Sequence, residues 1–141
     1  MADPADPEPL RFDTARPDSP TMADVRRWAA RVLPELDEDH LSDVLLVATE
    51  LVSNVFDHAP GRAQVRVFHR LDPCRVYVEV DDTSQLPPVL GRSSIADTRG
   101  RGVAMVAVYS AEWGVRRLAE GGKTVWAVLA CDSSACGPAG R

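Results

Sequence analysis

Three polar side chains at four-residue steps, Glu50, Asn54 and His58, are the first residues whose types and spacing suggest chemistry. On a helix, residues four apart stack on one face, so this spacing makes a row of a carboxylate, an amide and an imidazole, with Asp57 on the same side. Such a row suits a magnesium nucleotide. Magnesium takes oxygen ligands in an octahedron, few of them from protein and the rest from phosphates and water. Asn54 offers a neutral carbonyl oxygen, and Glu50, one turn away, can take a proton from an attacking hydroxyl or water. The same row is also what a solvated helix face looks like.

Three further segments carry candidate groups. In Val78-Glu79-Val80-Asp81-Asp82-Thr83-Ser84, Asp82 shares a face with Val76, Val78 and Val80. A carboxylate continuing a buried face needs a partner. An adenine amino group would serve, unless the strand has ended and Asp82 caps a turn. Gly100-Arg101-Gly102-Val103 precedes a helical stretch, where backbone N–H groups and a helix N-terminus favour an anion. Gly122-Lys123-Thr124 resembles the end of a P-loop, but a P-loop needs a glycine at position 117, which is Arg117, and a helix where Val125 to Cys131 reads as a strand. Lys123 therefore reads as a turn charge, while Thr124 is a candidate for the wall of a base pocket.

The elements that must hold these residues follow from periodicity. Met22, Val25, Ala29 and Val32 predict a helix over Thr21 to Leu33, capped by Ser19 or Thr21. Leu41, Val44, Leu45, Ala48, Leu51, Val52, Val55 and Ala59 predict a second helix from Asp37 to Ala59, stopped by Pro60-Gly61. Alternation predicts strands over Arg62–Arg70, Cys74–Asp82, Trp113–Leu118 and Lys123–Cys131, with a functional loop over Thr83–Arg99 and a short buried helix over Gly102–Ser110. The order of helices and strand pairs predicts an α/β (α+β) two-layer sandwich. It would contain one mixed sheet of four or more strands with helices on one face.

Composition limits the alternatives. The chain has 141 residues, one domain's worth, with 45% hydrophobic and 26% charged residues. Proline and acid in the first nine residues predict a disordered tail, followed by a domain over 10–131 and a flexible end over 132–141. A net charge of -5 argues against direct nucleic-acid binding. The absence of a long apolar run or a secretory pattern leads to the expectation of a cytoplasmic protein with no membrane contact. Cys74, Cys131 and Cys136, an odd count without a CxxC pair, read as reduced thiols. Lys123 is the only lysine among 16 basic side chains.

Taken in order, these segments resemble the boxes of the gyrase, chaperone, histidine kinase and mismatch-repair ATPase superfamily, whose fold is the histidine-kinase-like (Bergerat) ATPase sandwich. Glu50 to His58 resembles its N-box, Asp82 the aspartate of its first glycine box, Gly100 and Gly102 its second, and Thr124 the threonine beside the adenine. LLVATELVSNVFDHA, VEVDDTS, RGRG, EWGV and GGKTVWAVL are most similar to the short anti-sigma-factor serine kinases. The resemblance implies ATP and magnesium as ligands. It makes Asn54 the magnesium residue, Glu50 the general base, and Asp82 the acceptor of the adenine amino group with help from Thr124. Gly100, Arg101 and Gly102 would sit at the phosphates beneath a lid over Thr83–Arg99. Asp57, His58, Ser84 and Val103 are expected in the same nucleotide site. It further implies a serine on an anti-sigma-factor antagonist as the phosphate acceptor, a sigma factor as a second partner, and a homodimer. The sequence departs from the superfamily where Asp-x-Gly-x-Gly becomes Asp82-Thr83-Ser84-Gln85-Leu86. With both glycines gone, a partner-switching module without phosphotransfer is the alternative.

Overall fold

The structure, a computed structural model, describes residues 7–16, 19–58, 61–70, 74–84 and 110–130. It contains β1 (Leu10–Asp13), α1 (Met22–Val32), α2 (Glu38–His58), β2 (Arg62–Arg70), β3 (Arg75–Asp82), β4 (Glu112–Arg117) and β5 (Lys123–Ala130). The strands form one sheet in the order β1-β2-β3-β5-β4. Both helices lie in the second layer, where α2 packs against α1 and against β2, β3 and β5. This is the two-layer α+β sandwich that the pattern implied.

Two details differ from the sequence reading. A fifth strand, β1, lies outside the expected set; it pairs with β2 from Leu10↔Val65 to Asp13↔Arg62. Four residues are too few to display an alternation of their own. Every described strand pair is also antiparallel, where a mixed sheet was expected. The reason is topological. The β4–β5 hairpin puts β5 beside β3, so β3 and β4, which run the same way, never become neighbours.

Local chemistry explains each helix. Thr21 caps α1 through a reciprocal box: its Oγ1 accepts from the Asp24 amide at 3.1 Å, and Asp24 Oδ2 accepts from the Thr21 amide at 2.9 Å. Glu38 and Asp39 occupy the first turn of α2, where negative charge meets the positive end of the helix dipole. The apolar side of α2 (Val44, Val47, Ala48, Leu51, Val52 and Val55) is buried. It faces the inner side of the sheet, where Val65, Val67, Val76, Val78, Val80, Val125, Ala127 and Leu129 alternate inward. Each valine and leucine among them contributes roughly 1.5–3 kcal/mol relative to exposure. Phe12 of β1 stacks on Phe56 of α2 with ring centroids 5.4 Å apart.

The β4–β5 turn depends on glycine. Gly121 and Gly122 have φ of 97° and 91°, a region that side chains with a Cβ rarely adopt. A Cβ on Gly122 would also lie 2.3 Å from the Asp82 carbonyl oxygen. The turn thus closes directly over the end of β3.

Cys74 is buried and disulfide-bonded, in contrast to the reduced thiol expected. Its partner cysteine lies outside the described residues. The odd count misled because one leftover cysteine does not prevent the other two from pairing. Among the described residues no helix is long and apolar enough to cross a membrane.

Candidate functional site

The candidate residues gather at one end of the sandwich because of how α2 hands over to the sheet. Only 59–61 separate the end of α2 from β2, and Ala63 near the start of β2 lies opposite Asp82 at the end of β3. Asp82 in turn lies opposite Lys123, the first residue of β5. The last turns of α2, which carry Asn54 and Asp57, therefore share an end of the domain with Asp82, Lys123 and Gly122. Asp82 and Lys123 also point to the face that α2 covers, in step with Val80 and Val125.

At Asn54 the row on α2 is not solvated. Asn54 is only 8% exposed, and its Oδ1 is buried with no hydrogen-bond partner among the described residues. An unsatisfied buried carbonyl is costly, and native structures contain few of them. It is the oxygen a bound cation or ligand donor would satisfy. Glu50, half-buried one turn earlier, has its carboxyl pushed above its ordinary value of 4.5, mainly by burial and secondarily by the negative charge of Asp57. A carboxylate shifted this way is a better proton acceptor near neutral pH. Asp57 itself is exposed. His58 ends α2.

Asp82 both caps a turn and is paired. It is 4% exposed. Its Oδ1 accepts from the Ser84 amide at 2.8 Å and from Lys123 Nζ at 3.0 Å. Ser84 thus reaches the site through its backbone. The partner that the sequence reading sought in an adenine is supplied on this oxygen by the protein. Lys123, expected as a turn charge, is 3% exposed. The signal for this was present: Lys123, Val125, Ala127 and Leu129 form one alternating set, and the first member of an inward set faces inward too.

Thr124 consequently belongs to the other face and is not brought to Asp82. Its hydroxyl donates to Asp81 Oδ1 at 2.6 Å. Asp81 also accepts from Gln64 Nε2 at 2.9 Å and from both terminal nitrogens of Arg66, and Arg66 in addition donates to Glu79 Oε1 at 2.7 Å. Burial alone would push the Asp81 carboxyl up. The bonds from Arg66, Thr124 and Gln64 outweigh it and hold the group below its ordinary 3.8. This outer-face network was missed in the sequence, because polar alternation on a strand looks the same whether its members are solvated or joined.

A cavity of about 650 Å³ opens at the same end and takes its wall from both faces of the sheet, Arg11, Gln64 and Asp81 from the outer face and Phe12, Ala63 and Asp82 from the inner. Its lining includes neither Glu50 nor Asn54. Gly100, Arg101, Gly102 and Val103, the rest of the expected lid and the expected third helix lie outside the described residues.

No curated protein matches the chain significantly. Residues 14–129 match the family model described as "Histidine kinase-like ATPase domain". That span runs from the end of β1 almost to the end of β5 and contains Glu50, Asn54, Asp82 and Lys123, so the chain belongs to the histidine kinase-like ATPase domain family.

Proposed function

We propose that this chain is an ATP-binding regulatory protein: an anti-sigma factor that transfers phosphate from ATP to a serine of an anti-sigma-factor antagonist. The observation that carries the reading is the buried, unpartnered Oδ1 of Asn54 one helical turn from a half-buried Glu50 whose carboxyl is pushed up. A neutral oxygen for magnesium and a carboxylate for the proton are the two protein groups this transfer needs. Membership of an ATP-using family supports it, and so does the likeness of the α2 segment and the RGRG turn to the anti-sigma kinases.

In this reading ATP would be the phosphoryl donor, and Asn54 would offer one oxygen to a magnesium ion that would supply charge neutralisation at the phosphates. Glu50 takes the proton of the attacking serine hydroxyl as the new O–P bond forms and the bond to ADP breaks. The apolar side of α2 and the inner sheet face hold both residues in place and limit water around Glu50.

A second reading, a partner-switching module without phosphotransfer, is favoured by one specific feature: Asp82 already has a cationic partner. Glu50→Ala separates the two readings. Under the kinase reading it abolishes phosphate transfer to an added antagonist while magnesium–ATP binding survives. Nucleotide binding by the parent with no transfer to any antagonist selects the module.

A further inference from the structure

Two arginines beside the cavity at the end of the sheet lack a counter-charge. Arg11 lies opposite Gln64, and Arg62 precedes Gln64 by two residues, so both belong to the outer face and stand diagonally across the β1–β2 pair. Diagonal neighbours are about 7–8 Å apart, close enough for two long side chains to meet one ligand. Both are exposed, and neither hydrogen-bonds or pairs with a described residue. The acids near them are engaged elsewhere. Asp13, opposite Arg62, accepts from the Ala15 amide at 2.9 Å through its Oδ1. Asp81 holds Arg66, and Asp82 holds Lys123. Glu120 is the single carboxylate of the cavity wall without a described partner, set against two such arginines.

The cavity is built rather than incidental. Its 650 Å³ falls within the roughly 300–1,000 Å³ of small-molecule sites. The segment after β1 is tied to the α2–β2 turn: the Thr14 amide donates to the Gly61 carbonyl at 2.9 Å, and the Gly61 amide donates to the Thr14 hydroxyl at 2.8 Å. Thr83 of the wall packs under that turn, where a Cβ on Gly61 would lie 3.1 Å from its Oγ1. Leu118, 37% exposed, and Phe12 make part of the wall apolar.

We infer that this cavity binds a small phosphate monoester with an apolar body, and that Arg11 and Arg62 hold its phosphate. A guanidinium presents paired N–H donors that match phosphate oxygens bidentately. A monoester carries close to two negative charges at neutral pH. It therefore meets both unpaired guanidinium groups, where a carboxylate would meet one. Leu118 and Phe12 receive the apolar body. The inference does not depend on the nucleotide site proposed above, since neither Glu50 nor Asn54 lines the cavity and arginine–phosphate contacts require no metal ion.

Phenyl phosphate, inorganic phosphate and benzoate serve as probes. Each is titrated into the full-length chain with EDTA present and at low ionic strength, by calorimetry and by following backbone amide NMR signals. Phenyl phosphate should bind saturably, moving the amides of Thr83 and Gly121 in the wall and leaving that of Glu50 in place. Inorganic phosphate, which lacks the apolar body, and benzoate, which lacks the second charge, should each bind about tenfold more weakly or worse. Arg11→Gln and Arg62→Gln should each weaken phenyl phosphate by about tenfold or more, the worth of one charge-assisted contact. Both positions are exposed and unpartnered, so the variants should keep the parent's thermal midpoint, and the amide shifts in the parent stand without them. Asn54→Ala should bind phenyl phosphate as the parent does. No saturable binding by the parent at millimolar phenyl phosphate, unchanged affinity in both arginine variants, or benzoate binding as tightly would each overturn the inference. So would a tenfold loss in Asn54→Ala, which would assign the ligand to the α2 row. None of these outcomes bears on the kinase reading, which is decided by magnesium–ATP binding and phosphate transfer.

Discussion

Lys123 Nζ donates to Asp82 Oδ1 across 3.0 Å, joining the first residue of β5 to the last of β3 inside the protein. The pair stands directly beneath the Gly121-Gly122 turn and at the same end of the fold as the last turns of α2. A buried ion pair is weak evidence of stability in itself, but removing one member leaves an uncompensated charge. Lys123→Met should therefore lower unfolding free energy by about 3–5 kcal/mol. Adding Asp82→Leu to that variant should restore most of the loss. Urea denaturation of the parent, the single variant and the double variant measures both. A loss under about 1 kcal/mol in Lys123→Met would mean that the pair is solvated.

Thr124 and Lys123 are neighbours with opposite duties, and Thr124→Val tests the assignment of faces. The change removes the hydroxyl that donates to Asp81, on the side of the sheet away from α2. It should cost about 1.5–3 kcal/mol of stability, the range for a hydrogen bond to a charged group. Nucleotide affinity should not change. A drop in ATP affinity without loss of stability would put Thr124 back beside the base.

Gly122→Ala probes the turn that covers the site. The added Cβ meets the Asp82 carbonyl and requires a positive φ of 91°. The conformational cost alone is about 1–2 kcal/mol, and the clash adds to it. Thermal unfolding should show a lower midpoint, and the NMR signal of the Lys123 side-chain ammonium, which donates to Asp82, should move, because the backbone that carries Asp82 must give way.

The pH behaviour follows from two carboxyls shifted in opposite directions. Asp81 is held below its ordinary 3.8, so its contribution is complete above that value and is lost as pH falls through its lowered folded value. Arg66→Ala should flatten the acid limb of the stability profile. Glu50 is raised above 4.5, so the folded state disfavours its charged form. Stability therefore declines as pH rises from 4.5 through its folded value. Carbon-detected NMR titration of Glu50 should show the raised midpoint. Asp57→Asn should lower it in part, with the portion due to burial remaining.

Much of this fold was legible. The α2 stripe and the Arg62–Arg70 alternation specified their elements because one face of each had to be buried. Thr21 was identifiable as a cap from its place before the apolar run. The spacing of Glu50 and Asn54 put them on one face, but spacing says nothing about what lies opposite; the burial of Asn54 depends on sheet residues far away in the chain. Asp82 was readable as buried by parity with Val80. The same parity, applied backward from Val125, points Lys123 inward and Thr124 outward. The resemblance to the superfamily assigned the pocket to Thr124 instead, against this parity. Strand β1 and the Cys74 disulfide were hidden because both depend on tertiary neighbours.

The central claim is that Asn54 Oδ1 is held for a magnesium nucleotide, and calorimetric titration of magnesium–ATP into the parent and into Asn54→Ala tests it most directly. The account predicts saturable binding in the parent and a loss of about tenfold or more in the variant, in keeping with removal of a metal-directed oxygen. Equal binding by both proteins, or none by the parent at millimolar ATP, would contradict it.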